Sequence, residues 1–253
     1  MHTGLILPCY RESARLPHFL EDLCTAMERI NGVQVLVVDD GSGAAECDAT
    51  RAAVETMRAR HPCLLPMLEL PLNIGKGGAV YAGWNDCAGC EWLGFVDADG
   101  SVPADEVVRL IELARGESNP PRALFASRVK MLGHKIDRQL KRHLLGRIYA
   151  TLVSELLNVP VYDSQCGLKL VPAAAWRKIK PALTVTGFAF DAQLLLALRH
   201  SGCEVIEVPI DWHETPGGKI RLVRDAMTMT RDVLAIRKQS RTAAWRRRLG
   251  LES

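Results

Sequence analysis

Short apolar runs alternate along this chain with longer stretches in which apolar residues recur every three or four positions. Gly4-Leu-Ile-Leu7 has the pattern of a buried strand ended by Pro8. Leu16, Leu20, Leu23, Met27 and Ile30 then repeat at helical spacing and form one apolar stripe. Residues 33–38 form a second strand pattern, closed by Asp39-Asp40-Gly41-Ser42. A helix over 44–60, a strand at 64–70, a helix over 77–86, a strand at 92–96, a helix over 104–114 and a strand at 123–126 follow. Strands separated by helices of about ten or more residues predict a parallel sheet with right-handed crossovers. Ligands on such sheets bind beyond the carboxyl ends of the strands. Residues 8–12, 39–42 and 97–100 each follow a strand end, so these three turns should line one crevice.

The second half is less regular. The pattern predicts a helix over 137–157, a loop at 163–167, a helix from 190–191 to about 200 and a strand over 204–210. The last helix should span 220–238, with Ile220, Val223, Met227 and Leu234 on one face. No repeat or linker divides the chain. The expected organisation is one domain over 1–238 and a basic helical tail over 239–253.

Hydrophobic residues make up 48% of the chain and charged residues 24%, which places it among soluble globular proteins. No apolar run approaches the roughly 18 residues that span a bilayer. The first 20 residues carry Pro8, Arg11, Glu12 and Arg15, unlike a secretory leader, so the expected compartment is the cytoplasm. Eight cysteines are scattered, and the Cys87/Cys90 spacing lacks the second pair or histidine of a zinc site. They read as structural thiols. The net charge of +3 is modest but unevenly placed. From Arg128 to Arg147 there are seven Lys or Arg against the one acid Asp137, and from Arg237 to Arg248 six and no acid. Such segments serve anionic lipid, nucleic acid or plain solvation. Aromatic residues amount to only 6% and do not interleave with the cations, which argues against a nucleic-acid partner.

Asp97 and Asp99 close the apolar run Trp92–Val96. If strand geometry continues through them, positions two apart project to one side. Two hard oxygen ligands there would suit Mg²⁺ or Mn²⁺, which complete their shells with substrate phosphates and water. An Asx-turn serves the same residues equally well. Asp39-Asp40 reads likewise as a turn with a helix cap or as a ligand pair. Gly75-Lys76-Gly77-Gly78 lacks the spacer and the Ser or Thr of a P-loop, yet a glycine-rich helix start can still receive anions.

Taken in order, Leu7-Pro8-Cys9-Tyr10-Arg11-Glu12, Val37-Val38-Asp39-Asp40-Gly41-Ser42, Gly75-Lys76-Gly77-Gly78 and Asp97-Ala98-Asp99-Gly100 resemble the motifs of family 2 glycosyltransferases. The resemblance continues through Ala126-Ser127-Arg128, Asp163-Ser164-Gln165-Cys166-Gly167-Leu168-Lys169 and Phe188-Ala189-Phe190-Asp191, and so covers about residues 3–238. Within the family it points to the polyprenyl-phosphate sugar synthases, of the dolichyl-phosphate β-glucosyltransferase type. It implies a GT-A fold: an α/β, Rossmann-like, mostly parallel sheet flanked by helices. It also implies an inverting hexosyltransferase, metal-dependent, that uses a nucleotide-sugar donor.

By this resemblance Pro8, Tyr10 and Glu12 hold the nucleoside, and Asp40 with Asp39 contacts the uracil or ribose. A carboxylate can accept the imide N–H of uracil, which cytosine lacks. Asp97 would face the nucleotide and Asp99 the metal, with Asp97 as the second metal candidate. Lys76 and Lys219 would lie near the donor diphosphate. Arg128, Arg142 and Gln165 would receive an acceptor phosphate, for which an arginine fork is well suited. Asp191 is the candidate general base for a hydroxyl acceptor, with helix capping as its other reading. A lipid monophosphate, already ionised at neutral pH, would need no base.

The resulting expectation is transfer of a hexose, by resemblance glucose, from a UDP-sugar to a polyprenyl (dolichyl-type) phosphate with Mg²⁺ or Mn²⁺. Membrane contact would be peripheral, on the cytoplasmic face, through the basic tail or an anchoring partner. A same-fold transferase acting on a hydroxyl through Asp191 is the alternative. A sugar nucleotidyltransferase is weaker, because residues 8–12 carry no glycine-rich loop.

Overall fold

In the computed structural model the chain runs β1 (Thr3–Cys9), α1 (Leu16–Met27), β2 (Val33–Asp39), α2 (Ala44–Arg58), β3 (Leu68–Glu69), α3 (Lys76–Asp86), β4 (Trp92–Val96) and α4 (Ala104–Arg115). It continues through β5 (Ala123–Ser127), β6 (Ile136–Asp137), α5 (Leu140–Leu157), β7 (Leu168–Pro172), α6 (Ala173–Ile179), a 3₁₀ turn (Lys180–Ala182), α7 (Phe190–His200), β8 (Val205–Pro209), β9 (Trp212–His213), α8 (Leu222–Ser240) and α9 (Ala243–Arg248). The description covers residues 1–87, 89–116, 121–129, 133, 135–137, 140–215 and 222–251, with the backbone alone at 137, 140–148 and 222–226.

Among the described residues a seven-stranded sheet has the order β3-β2-β1-β4-β7-β5-β8. The pairs β1–β2, β1–β4, β2–β3 and β5–β8 are parallel, whereas β7 runs antiparallel to both β4 and β5. The mostly parallel α/β sheet expected from the alternating pattern is therefore present. It is joined midway by a strand from late in the chain. Successive strand residues feed opposite cores. Leu5 and Leu7 pack with α1 and α4, and Ile6 packs with α3, α6 and α7. The stripe of α1 buries Leu16, Leu20, Leu23 and Met27 as its spacing predicts.

Several boundaries and faces differ from expectation. The strand over 64–70 shrinks to Leu68–Glu69 plus an isolated bridge from Val35 to Leu64, with Pro66, which has no N–H to offer a ladder, between them. The helix over 137–157 starts at Leu140. On α8, Val233 and Ile236 are buried while Met227 and Leu234 are exposed, so the stripe that includes Met227 and Leu234 faces outward. Ile220 lies outside the described residues, as does the side chain of Val223.

In the basic tail, expected to be helical over 239–253, the helix described is α9. Thr242 caps α9 by accepting the Trp245 N–H. The indole of Trp245 is buried against His200 and donates to the Ala182 carbonyl at 3.1 Å. The arginines of α9 face outward, as do Ala243 and Ala244. Cys87 and Cys90 are free and buried, as structural thiols should be.

Candidate active site

The carboxyl ends of β2, β1 and β4 lie side by side, so the turns that follow them meet. After β1 the chain passes through Arg11 at φ 55°, a left-handed conformation that costs a non-glycine residue about 1–3 kcal/mol. The Arg11 N–H donates to Ser42 Oγ at 2.8 Å, which ties the β1 turn to the β2 turn. The Arg11 guanidinium lies 5.2 Å from the Tyr10 ring centre. Glu12 is clasped by Arg15 through two 2.7 Å hydrogen bonds. Arg15 in turn lies within electrostatic reach of Asp99.

After β2, Asp39 Oδ1 accepts the Ser42 N–H at 2.9 Å. Its Oδ2 is buried with no hydrogen-bond partner among the described residues. Asp40 commits both oxygens, accepting the N–H groups of Ile74 (2.8 Å) and Gly75 (2.9 Å). Burial pushes the Asp40 carboxyl upward; those two donors pull it down and the Asp39 charge pushes it up again, leaving it above the ordinary value. Gly41, at φ 65°, lets the 72–73 backbone pass where a Cβ would collide with it.

The 72–75 segment delivers Lys76 at the first turn of α3. Its Nζ lies 2.6 Å from Asp97 Oδ1. Burial works against this ammonium, but Asp97 and then Asp191 outweigh it and hold its pKa above the usual lysine value. Strand geometry does not continue through the acidic pair: β4 ends at Val96 and residues 98–99 form a turn. Asp99 Oδ1 accepts the Ser101 N–H at 3.0 Å, an Asx-turn contact. Burial, then the Asp97 charge, raises the Asp99 pKa. Thus the turn and the candidate ligand pair are the same object.

The 163–168 segment forms the next wall. Asp97 N–H donates to the Gly167 carbonyl at 2.8 Å, and a Cβ on Gly167 would overlap the Asp97 carboxylate. Arg128, just past β5, forms a fork with Asp163: Nε to Oδ2 at 2.7 Å and Nη2 to Oδ1 at 2.8 Å. Its guanidinium lies 5.5 Å from the Trp212 ring centre and within reach of the Asp97 charge. Gln165 Nε2 is buried without a partner among the described residues. Asp191, in the first turn of α7, is 1% exposed and makes no capping hydrogen bond. Its carboxylate lies 2.7 Å from the ammonium of Lys169. Burial raises the Asp191 pKa, against the pull of Lys169 and Lys76.

Tyr10, Glu12, Asp39, Asp40, Lys76, Asp97 and Asp99 therefore gather at one end of the sheet, with Pro8 in the last turns of β1 beneath them. Arg128 lies within electrostatic reach of Asp97, and Asp191 within reach of Lys76. Lys219 falls outside the described residues, as does the side chain of Arg142.

The sequence profile described as Glycosyl transferase family 2 matches residues 5–164. The chain belongs to this family. It is a glycosyltransferase. The dolichyl-phosphate beta-glucosyltransferase of Saccharomyces cerevisiae is 30% identical over 249 residues, covering 92% of this chain and 73% of the relative. The dolichyl-phosphate beta-glucosyltransferase of Homo sapiens is 28% identical over 254 residues, covering 96% and 77%. Among solved structures, the Mycobacterium tuberculosis glucosyl-3-phosphoglycerate synthase in complex with Mg²⁺ and uridine-diphosphate aligns over 100% of this chain and 80% of its own, with a TM-score of 0.63 and 14% identity. That likeness shows the GT-A-like fold.

A divalent cation, which the family resemblance implies, fits the residues at the β4 turn. Asp97 and Asp99 are hard oxygen donors, and the like charge of Asp97 raises the pKa of Asp99, a repulsion that a cation would relieve. No group of three or more His, Cys, Asp or Glu converges among the described residues. A two-carboxylate site suits an ion that takes its remaining ligands from phosphate and water.

Sequence reasoning gave no site role to Arg15, Asp163, Lys169 or Trp212, although Asp163 and Lys169 lie within the 163–169 motif it singled out. The Glu12/Arg15 spacing of three was a visible signal for an ion pair. Lys169, a cation inside the run Leu168–Pro172, was another. The Arg128–Trp212 meeting joins residues 84 positions apart and had none.

Proposed function

We propose that this glycosyltransferase moves a hexose, glucose by kinship, from a UDP-sugar to a polyprenyl phosphate, with inversion at the anomeric carbon. The observation that carries the reading is one crevice holding an unpaired buried oxygen on Asp39, the Lys76–Asp97 pair and Asp99. Asp39 Oδ2 is the natural acceptor for the uracil imide N–H, since an unmet buried carboxylate oxygen is costly. Lys76 stands where negative charge grows on the departing diphosphate. Bound Mg²⁺ or Mn²⁺, held by Asp99 and Asp97, would supply further neutralisation of that charge.

The state of Asp191 favours a phosphate acceptor over a hydroxyl. Asp191 already pairs with the Lys169 ammonium, whereas a hydroxyl acceptor needs a free base. An ionised lipid phosphate needs only cations to position it, and Arg128 with the basic stretch around it provides them. Asp163 already occupies much of the Arg128 fork, so the acceptor would share or displace that partner. Among the described residues no helix is long and apolar enough to cross a membrane. The reading proposed for contact with the lipid is peripheral, on the cytoplasmic face, through the outward arginines of α9 or a membrane-anchored partner.

A donor and acceptor screen with the purified protein tests this. UDP-hexoses are offered with a short polyprenyl phosphate, the matching polyprenol, or neither, with Mg²⁺, Mn²⁺ or a chelator. Metal-dependent transfer from UDP-glucose to the phosphate alone is expected. Transfer to the polyprenol but not to its phosphate would replace this reading with the hydroxyl-acceptor one.

A further inference from the structure

Lys169 is 0% exposed in the middle of the sheet, where an aliphatic residue would ordinarily stand. It occupies β7 directly opposite Phe95 of β4 and Phe125 of β5. Its ammonium lies 5.3 Å and 5.0 Å from those two ring centres. It donates to the Cys166 carbonyl at 2.7 Å and pairs with Asp191 at 2.7 Å. Burying such a pair costs several kcal/mol per ion, and apolar residues of similar volume commonly serve stability as well or better. Stability alone therefore does not account for it.

Its neighbours indicate what does. Lys76 lies 5.2 Å from the centre of the same Phe95 ring and holds Asp97. Phe95 is thus shared by two ammonium groups, each with its own carboxylate. The Asp191 charge reaches both lysines. Through Cys166, Lys169 also fixes the residue before Gly167, whose missing side chain accommodates the Asp97 carboxylate and whose carbonyl receives the Asp97 N–H.

We propose that Lys169 is a positioning residue for glycosyl transfer, holding Asp191 and, through Phe95 and the 166–167 backbone, fixing the Lys76–Asp97 pair against the donor. It never touches the substrates. The inference rests on the donor half of the proposed function and is independent of the acceptor. The charged or titratable groups facing Asp191 among the described residues are Lys169 from β7, Lys76 and Tyr81 from α3, Asp97 after β4 and Tyr149 from α5, with Asp232 of α8 beyond Tyr149. Lys169 and Lys76 are the cations in that set, so removing Lys169 leaves Asp191 with Lys76 alone to favour its ionised form.

The test compares K169M, K169R and the double variant K169M/D191N with the wild-type enzyme, reading melting temperature, UDP affinity and the pH dependence of kcat. Turnover by the wild type tests the functional reading; the ratio of each variant to wild type tests this one. K169M should lose about tenfold or more in kcat while UDP affinity stays within about threefold, since only a geometry used during transfer is disturbed. Its acid limb should move to higher pH, because Asp191 has lost a cation that holds its proton affinity down. K169R should recover part of the rate. The double variant leaves no ion unpaired, so it should fold and remain slow, without the Asp191 limb. A double variant that fails to fold, or that folds and turns over within about threefold of wild type, would reduce the pair to a structural one and overturn the proposal.

Discussion

At the end of β2 the chain places Asp39 and Asp40 next to each other; at the end of β4 it places Asp97 and Asp99 one residue apart. Each pair holds its local chain by accepting backbone N–H groups, and in the β2 pair Asp39 also does so, from Ser42. Asp40 takes two from the 74–75 segment, and Asp99 takes one from Ser101. Burial pushes the carboxyl of each upward. The other members, Asp39 and Asp97, differ in their electrical state. Asp97 already has the Lys76 ammonium at 2.6 Å, whereas one Asp39 oxygen has no hydrogen-bond partner among the described residues. The difference suits two parts of one donor: a neutral imide N–H beside Asp39, and a charged diphosphate beside Asp97, whose own charge must be balanced first.

Breaking the β4 pair should have the largest effect. D97N takes the partner from the half-buried Lys76 and removes a candidate metal ligand, so kcat/KM should fall by about a thousandfold or more in a radiolabelled transfer assay, in line with loss of central electrostatic groups. Next comes the unpaired oxygen. D39N substitutes an amide there and should weaken UDP binding by about 2 kcal/mol, roughly thirtyfold, by calorimetry. It should also erode discrimination against CDP. Should D39N bind UDP normally, the contrast between the two pairs would be lost.

A smaller change is expected from Asp40, which holds the 74–75 segment. D40A leaves the Ile74 and Gly75 N–H groups without their acceptor and should cost about 1–3 kcal/mol of stability in urea titration. The pH response sharpens the point. Folded Asp40 holds its proton more tightly than the unfolded chain does. Its contribution to stability is therefore full below the unfolded carboxyl range and is lost as pH rises through the folded value. D40N carries no such proton. The stability of wild type relative to D40N should increase on acidification from about pH 7 to about pH 4; a decrease would mean that Asp40 is held as a favourable anion.

The proposed donor side of this site could be read from the sequence because its parts are local. Strand, turn and acidic pair are contiguous at 33–40 and at 92–99, and the sheet rule brings their ends together. Trp92–Val96 agrees with its expected strand residue for residue. What stayed hidden depends on distant pairing. Leu168–Pro172 did not read as a strand because Lys169 interrupts its apolar run, and the compensation lies on β4, β5 and α7. The two-residue strands β6 and β9 are too short to carry a period. On α8, apolar residues occur on more than one face, so spacing could not show that Val233 and Ile236 face the core while Met227 and Leu234 face out.

The antiparallel strand β7 also has a consequence for how the chain is made. During synthesis β1, β2 and β4 emerge and can pair while the segment that will cover the free side of β4 is still more than 70 residues from being built. Until residue 172 has left the ribosome, β4 is an open edge of unmet amide groups, the kind that recruits foreign strands. A nascent chain halted near residue 130 should therefore depend on chaperones, and one halted beyond β7 far less so. The strand that completes the catalytic wall is also the one that ends this vulnerable interval.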